Sequence, residues 1–259
     1  MEKITSRKNP ICVHVKKLGT SKSYREEEGQ FISDGEKLLS EAVSYGADIE
    51  IVLTSAVLPF DLPDNTRVYQ AENSLIDSIS PLRNSQGLLF TCRIPKVCDC
   101  DYRTGIHVLL DGIQDPGNVG TIIRSAGAFG IQSVLLSEGS ADPYNPKAIR
   151  ASMGAIFKQH HRTIELDEIQ KLKQKGAKLI GASNDRNCIE VTKADLENSI
   201  IVLGSEGQGI SDPIFELCDE MITIPLSPDC ESLNVAAAAS IIMWEASLNK
   251  FKQGLGTRE

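Results

Sequence analysis

Three segments of the chain place polar residues directly after short apolar runs, where the groups of a ligand site could lie. The first begins with the turn Asp115-Pro116-Gly117. After it, Asn118 suits a helix N-cap, and Arg124 follows six residues later, close to two helical turns. Both can therefore lie near one side of a helix, although an ordinary capped helix with a surface arginine shows the same pattern.

The second segment is a glycine-rich loop at 204–209, with three glycines in six residues. Glycines let backbone amides approach a ligand closely. Glu206 inside the loop would repel a phosphate, so an amine, a hydroxyl or an arginine suits this loop better. Taken alone, a glycine-rich loop is only a weak indication of a site.

The third segment, 225–234, precedes an alanine-rich run at 235–240. Ser232 suits a helix N-cap. The alanines give a narrow helix face, so another element can pack closely against it. A capped, tightly packed C-terminal helix explains this segment without any ligand.

Apolar runs in the second part of the chain predict the strands of a parallel sheet that is covered on both faces. These runs are 106–110, 133–136, 178–182, 200–203 and 221–224. Helical patterns lie at 119–129, 146–154, 166–175, 213–218 and 233–251. Such a domain usually binds its ligand beyond the carboxyl ends of the strands. The dinucleotide fingerprint and the P-loop are both absent from the sequence, which disfavours a conventional nucleotide site.

The first part of the chain predicts a small α/β unit, with a helix at 35–47 and strands at 49–54, 66–70 and 88–94. A polar segment without periodicity follows and predicts a linker. The net charge is −8, yet the first 25 residues hold seven Lys and Arg residues against Glu2 alone. This basic arm suits a phosphate backbone, although a solvated arm without a partner has the same composition.

Bulk properties predict a cytoplasmic protein without a membrane segment. No apolar stretch approaches the roughly 20 residues that span a bilayer, and no signal region follows the N-terminus. The seven cysteines are odd in number and scattered, and Cys98 and Cys100 are too close for a usual zinc knuckle. His160 and His161 have no ligand partner at motif spacing. We therefore expect reduced thiols and no metal.

Read in order, the motifs N-x-G-x-x-x-R, L-G-S-E-G-x-G, and I-P-L followed by S-L-N-V-A-A-A resemble the SpoU (TrmH) family of RNA ribose methyltransferases, over about 106–250. The segments 4–10 and 31–37 look like the small RNA-binding domain that precedes the catalytic domain in one branch of the family. The resemblance implies an α/β fold. A C-terminal parallel-sheet methyltransferase domain, knotted as a trefoil, is preceded by a small α/β ribosomal-protein-like domain.

The implied domains are an RNA substrate-binding domain at 1–95, a linker at 96–104 and a methyltransferase domain at 105–259. The loops at 203–209, 224–227 and 231–234 would form the knot and hold S-adenosylmethionine. The residues implied in cofactor binding are Ala182, Leu203, Gly204, Ile224, Leu226 and Leu233, and Ser183 would line the adenine pocket.

The implied catalytic residues are Asn118, Arg124, Glu206, Ser232 and Asn234. Mechanisms proposed for the family often make the arginine the general base, but an arginine is effectively always protonated. Our hypothesis is that Arg124 contacts the adjacent phosphate and the developing alkoxide, and that Glu206 orients Arg124. In this hypothesis Ser232 and Asn234 orient the ribose and the cofactor, and Asn118 holds its loop. A phosphate oxygen or water would accept the proton, and no metal is needed.

The resemblance also implies a homodimer with RNA bound across both subunits. Ribosomal RNA is the first expectation for the substrate, because the extra domain and the basic arm suit a structured RNA loop, and transfer RNA is the second. A non-catalytic RNA-binding or ribosome-assembly protein on the same fold is an alternative, but it predicts a damaged motif set. A dehydrogenase or kinase is disfavoured by the missing fingerprints.

Overall fold

The structure of the chain is a computed structural model that describes residues 2–82, 85–96, 100–185 and 187–255, with side chains as far as residue 248. Residues 97–99 of the predicted linker, including Cys98, lie outside the described residues. By their contacts the residues form two compact units. The first unit comprises Met1–Lys96 together with Asp142–Lys158, and the second comprises Val97–Ala141 together with Gln159–Glu259.

Helices and strands alternate along the described chain. The helices are α1 (Pro10–Thr20), α2 (Lys22–Glu28), α3 (Glu36–Ser44), α4 (Asn73–Ile79), α5 (Pro116–Phe129), α6 (Pro146–Ser152), α7 (Leu166–Gln174), α8 (Asp212–Phe215) and α9 (Val235–Leu255). The strands are β1 (Glu2–Ile4), β2 (Gln30–Asp34), β3 (Ile49–Thr54), β4 (Arg67–Ala71), β5 (Leu88–Arg93), β6 (Ile106–Asp111), β7 (Ser133–Ser137), β8 (His161–Ile164), β9 (Lys178–Ala182), β10 (Ile189–Glu190), β11 (Ser199–Gly204) and β12 (Glu220–Thr223).

The first unit contains a five-stranded sheet in the order β1-β4-β3-β5-β2. Strands β1, β4 and β3 are parallel, and β5 runs antiparallel to both of its neighbours. The segment Asp142–Lys158, with α6, packs in this unit. The sequence prediction had placed that segment with the methyltransferase domain. The assignment of this segment to the first unit rests on its contacts alone. The domain boundaries therefore remain a prediction.

The predicted basic arm is folded into a strand and two helices. Strand β1 pairs with β4, and the rest of the arm forms α1 and the start of α2. Arg25 is buried. Its guanidinium donates to Asp142 Oδ2 at 2.6 Å and 2.9 Å and to the Leu18 carbonyl at 2.6 Å. Arg25 is therefore not available to a phosphate backbone.

The second unit is built on a seven-stranded sheet in the order β10-β12-β9-β11-β6-β7-β8, in which every pair is parallel. Every residue of β6 and β7 is buried. This agrees with the continuous apolar runs, which predicted a sheet covered on both faces. The predicted α/β class is confirmed. Helices α5 and α9 pack together, with Ser125 Oγ and Ser240 Oγ 2.8 Å apart.

Among the helices that the structure describes, none combines the length and the apolar composition that crossing a membrane requires.

Candidate active site

A cavity of about 700 Å³ opens at the carboxyl ends of β9, β11 and β12, within the second unit. Its volume lies within the usual range for small-molecule sites, roughly 300–1,000 Å³. All six residues implied in cofactor binding line it: Ala182, Leu203, Gly204, Ile224, Leu226 and Leu233. The carboxyl edge of the parallel sheet is where such a site is expected.

Strand register brings these residues together. Ala182 at the end of β9 is the Cα partner of Leu203 on β11 and of Ile222 on β12. Beyond the strand ends, the Ser183 amide donates to the Ile222 carbonyl at 2.9 Å. Three chain segments that are distant in sequence therefore start from adjacent points and surround one cavity.

The glycine loop is closed on itself. Ser205 and Gly209 exchange two backbone hydrogen bonds, both of 2.9 Å. A Cβ atom on Gly204 would lie 2.0 Å from the carbonyl carbon of Gly209 and 2.1 Å from the Ile210 nitrogen. Gly209 has a φ of +71°, a left-handed conformation that glycine adopts at little cost. The loop thus needs glycine at 204 for close approach and at 209 for conformation.

Asn118, Glu206 and Asn234 form one polar cluster. Asn118 Nδ2 donates to Glu206 Oε1 at 2.7 Å, and Asn234 Nδ2 donates to the same oxygen at 3.1 Å. Asn234 Nδ2 also lies 3.2 Å from Asn118 Oδ1. Glu206 and Asn234 line the cavity, so the cluster joins α5 to the cavity wall. Three of the five implied catalytic residues therefore meet.

Two helix caps differ from the prediction. Asp115, not Asn118, is the N-cap of α5, and its side chain accepts from the Gly117 amide. Pro116 fits the first helical position, where a missing N–H costs nothing. Asn118 lies inside the helix, which frees its side chain for Glu206.

Asn234, not Ser232, caps α9. Its Oδ1 accepts from the amides of Ala236 and Ala237 at 2.9 Å and 3.3 Å. The helix consequently begins at Val235 rather than at 233. Asn234 therefore caps the N-terminus of α9 with its side-chain oxygen and belongs to the polar cluster through its side-chain nitrogen.

Arg124 and Ser232 lie outside this cluster. Arg124 is exposed on α5, and within the described residues it makes no hydrogen bond or ion pair. The predicted orientation of Arg124 by Glu206 is therefore not present, because Glu206 bonds to the two asparagines instead. Ser232 is exposed and lines the cavity.

Further residues of the cavity wall were not predicted from the sequence. Val235, Ala238 and Ile242 form one wall from α9, and Phe215, about half exposed, lies on α8. The spacing of the three α9 residues, three and four apart, is that of one helix face. This spacing is the signal in the sequence that marks such a wall. Nothing comparable marks Phe215.

Within the part of the chain that the structure describes, no group of three or more His, Cys, Asp or Glu residues could hold a metal ion.

Comparisons with known proteins agree with this geometry. A model of the SpoU rRNA methylase family matches residues 105–244, and a model of the MRM3-like substrate-binding domain matches residues 9–89. The enzyme RlmP of Bacillus subtilis, a 23S rRNA (guanosine(2553)-2′-O)-methyltransferase, is 31% identical, over 94% of this chain and 98% of its own.

Two solved structures have the same fold. A protein assigned to the TrmH family of RNA methyltransferases, from Porphyromonas gingivalis, has a TM-score of 0.83 and 31% identity, over 93% of this chain and 98% of its own. The SpoU methyltransferase AviRb of Streptomyces viridochromogenes, in complex with AdoMet, has a TM-score of 0.80 and 25% identity, over 94% and 99%.

Fold, motif order and relatives define an RNA 2′-O-ribose methyltransferase. The chain belongs to the SpoU rRNA methylase family. Its cofactor is S-adenosylmethionine, which supplies the methyl group. The cavity fits that molecule, since the apolar side chains of Ile224 and Leu226 can contact a purine while the backbone at the strand ends and the polar cluster offer hydrogen-bonding groups.

Proposed function

We propose that this chain methylates a ribose 2′-hydroxyl in structured ribosomal RNA. The observation that carries the proposal is the polar cluster of Asn118, Glu206 and Asn234 against a cavity lined by all six predicted cofactor residues. The relative RlmP is named for 23S rRNA. The match of residues 9–89 to a substrate-binding domain supports an RNA of defined structure.

We propose separate roles for the residues of the cavity and for Arg124. Ala182, Leu203, Gly204, Ile224, Leu226 and Leu233 hold the cofactor, in loops that we propose form the trefoil knot. Arg124, exposed on the same helix as Asn118, contacts the phosphate beside the target ribose and the developing alkoxide. The proton goes to a phosphate oxygen or water, because a guanidinium stays protonated.

The polar cluster has a different role from the one predicted for Glu206. Its carboxylate aligns the two asparagine side chains, and Asn234 and Ser232 orient the ribose and the cofactor. Holding the reacting oxygen in line with the methyl group is the main contribution open to such neutral groups. Asn118 fixes the cluster to α5, which also carries Arg124.

The test is methyl transfer from labelled S-adenosylmethionine to purified ribosomal and transfer RNA, followed by nuclease digestion and mass spectrometry. We expect one 2′-O-methylated nucleoside in ribosomal RNA. Methylation of transfer RNA alone would replace the proposed substrate. Binding of ribosomal RNA without transfer of label to any RNA would favour a non-catalytic protein on this fold.

A set of exposed basic residues in the first unit supports the RNA-binding role. Arg7, Lys8, Lys16 and Lys17 are exposed and make no ion pair within the described residues. Replacing all four with alanine should weaken RNA binding and reduce its salt dependence, by roughly one unit of log–log slope per lost phosphate contact. Lys171→Ala with Lys175→Ala, at the C-terminal end of α7, removes two exposed lysines of the second unit and is the control, compared per charge removed. Equal losses in both proteins would mean that the first-unit basic residues have no special role.

We further propose a homodimer. Helix α9 exposes the apolar residues Ala237, Ile241 and Trp244 along one face, with Ile241 at 41% and Trp244 at 48% exposure. This face adjoins α5, which carries Arg124, through the ring contact of Trp244 with Phe129. A second copy packed there would lie beside the RNA-contacting arginine.

Light scattering tests the dimer. The wild-type mass should be that of two 28.2 kDa chains. Ile241→Lys should shift the mass to one chain, because a charge would be buried at the interface. Val57→Lys changes another exposed apolar residue, in the first unit, and should not shift it. A wild-type mass of one chain would contradict the dimer. Separately from the dimer, we propose that the protein is cytoplasmic.

A further inference from the structure

Asp111 has a buried carboxylate that no part of the proposed reaction uses. It is the last residue of β6 and only 6% exposed. Oδ1 accepts from Ser137 Oγ at 2.9 Å, and Oδ2 accepts from the Ser211 amide at 2.7 Å. Both donors are neutral, so the carboxylate is buried without a cation among its hydrogen-bond partners. Burial of a charge on these terms is costly, which points to a role beyond packing.

The Ser211 amide lies two residues beyond the far end of the glycine loop, at the N-cap of α8. The near end is Gly204, which is the Cα partner of Asp111 across the β11–β6 pair. The loop is thus fixed at one end by the sheet and at the other by the carboxylate. Between these points it is closed by the Ser205–Gly209 pair, and Glu206 lies inside it.

Asp111 also stands at the start of the short connection from β6 to α5. The chain leaves β6 at Asp111 and reaches Asn118 within the first two turns of that helix. Ser137 Oγ also accepts from the Gly112 amide at 3.1 Å, which ties the start of this connection to the end of β7. Asp111 therefore joins the segment that carries Asn118 to the loop that carries Glu206.

We propose that Asp111 is a positioning residue of the methyltransferase: its carboxylate fixes the glycine loop against the β6–α5 connection, so that Glu206 and Asn118 stay in hydrogen-bond contact and Gly204 stays at the cofactor cavity. The bond to a backbone amide is charge-assisted and stronger than a neutral one. This inference rests on the proposed roles of the polar cluster. It adds a residue that touches neither cofactor nor RNA.

Ser211 allows the bond to be removed from the donor side. Its φ of −64° matches the fixed φ of proline, so Ser211→Pro deletes the N–H while keeping the backbone angle. Ser211→Ala keeps the amide and removes only the hydroxyl. On the acceptor side, Asp111→Ala removes both bonds. In Asp111→Asn, Oδ1 can still accept from Ser211 and Nδ2 can donate to Ser137, whose proton can turn to the Glu138 carbonyl at 3.2 Å.

The kinetic experiment measures KM for S-adenosylmethionine and kcat on RNA for the four single variants and for Asp111→Ala with Ser211→Pro. Asp111→Ala and Ser211→Pro should each raise KM by about tenfold, the loss of roughly 1.4 kcal/mol, with a smaller fall in kcat. Asp111→Asn should recover most of the loss. The double variant should be no worse than the worse single variant, because both remove one interaction.

Three results would overturn the proposal. One is a lowered melting temperature with unchanged KM and kcat, which means a structural role only. Another is equal damage by Ser211→Ala and Ser211→Pro. The third is multiplicative losses in the double variant. If Asp111→Ala does not fold, the comparison of Ser211→Pro with Ser211→Ala still decides.

Hydrogen exchange separates this inference from the proposed function. In the protein without cofactor, the Ser211 amide should be protected, and Asp111→Ala should accelerate exchange at Ser211 and Gly209 over wild type. Fast Ser211 exchange in the wild type would refute the contact even if methylation is normal. Normal protection with no methyl transfer would refute the proposed function and leave the contact intact.

Discussion

The seven-stranded sheet has two dissimilar halves on either side of β6. On one side, the segments that follow β11, β9 and β12 surround the cavity. On the other side, β7 ends at Ser137, whose hydroxyl donates to the buried Asp111 carboxylate. Strand β8 is followed almost at once by α7. All strands are parallel and end at the same edge. A carboxyl edge thus becomes a site only where the following segments leave groups free to meet a ligand.

In the half that contains β7 and β8, an ion pair connects β8 to α7. Arg162 on β8 donates to both oxygens of Glu168 on α7 and, through Nε, to Tyr102 Oη at 3.0 Å. The Arg162 side chain is 15% exposed, so it is nearly withdrawn from solvent. Mutations in this half should therefore change stability alone, whereas mutations around the cavity should change cofactor binding or turnover. Three variants test that contrast.

The largest effect is expected for Gly204→Ala. The new Cβ would overlap the Gly209 and Ile210 backbone, so the loop must open. Affinity for S-adenosylmethionine should fall by about 100-fold or more, and stability by roughly 1–3 kcal/mol as for other overpacked sites. Calorimetric titration and thermal melting measure both. Gly207→Ala is the matched control, because its Cβ would meet nothing within 4 Å. Equal losses in both would attribute the effect to loop flexibility rather than close approach.

Arg124→Lys should have the next largest effect. Lysine keeps the charge but not the planar fork that can hold two oxygens at once. We expect kcat to fall by about 10- to 100-fold with little change in KM for the cofactor, as for an interaction made mainly in the transition state. Arg103→Lys, an exposed arginine outside the cavity, is the control. Near-normal turnover of Arg124→Lys would exclude any role that needs the guanidinium fork.

The smallest effect is expected for Glu168→Gln, in the other half of the sheet. Hydrogen bonds from Arg162 lower the pKa of Glu168. A lowered pKa in the folded state means stabilisation that is present above the unfolded value, about 4.3, and is lost as the pH falls through the folded value. The carboxylate is 43% exposed, so solvent screening limits the contribution to about 1 kcal/mol or less.

Thermal melting at several pH values measures this contribution. Glu168→Gln should melt a few degrees below wild type at pH 7, and the difference should shrink below about pH 4. KM for the cofactor should not change. A changed KM would mean that the two halves of the sheet are coupled.

The central strands were predicted from the sequence to within one or two residues. The run at 106–110 became Ile106–Asp111, since a strand that is buried on both faces must be apolar throughout. Edge strands were missed, as at His161–Ile164, where three of four residues are not buried and pairing with β7 defines the strand. No local pattern marks such a segment.

The three residues of the polar cluster were all named from the sequence motifs, but the hydrogen bonds between them were not; their catalytic role stays a prediction. The motifs supplied Asn118, Glu206 and Asn234, yet 88 positions separate Glu206 from Asn118 and 28 separate it from Asn234. Spacing along the chain cannot tell whether Glu206 bonds to Arg124 or to the asparagines. Both cap errors have one cause, because Asp115 and Asn118, and likewise Ser232 and Asn234, are all suitable cap residues.

The two-piece composition of the first unit has a consequence for biosynthesis. Residues 97–141 are made between its two pieces, so this unit cannot be completed until Asp142–Lys158 has left the ribosome. Until then Arg25 lacks the carboxylate that neutralises it in the folded chain. The segment with β6 and β7 of the second unit has by then already been synthesised. The order of synthesis along the chain thus does not follow its division into two units.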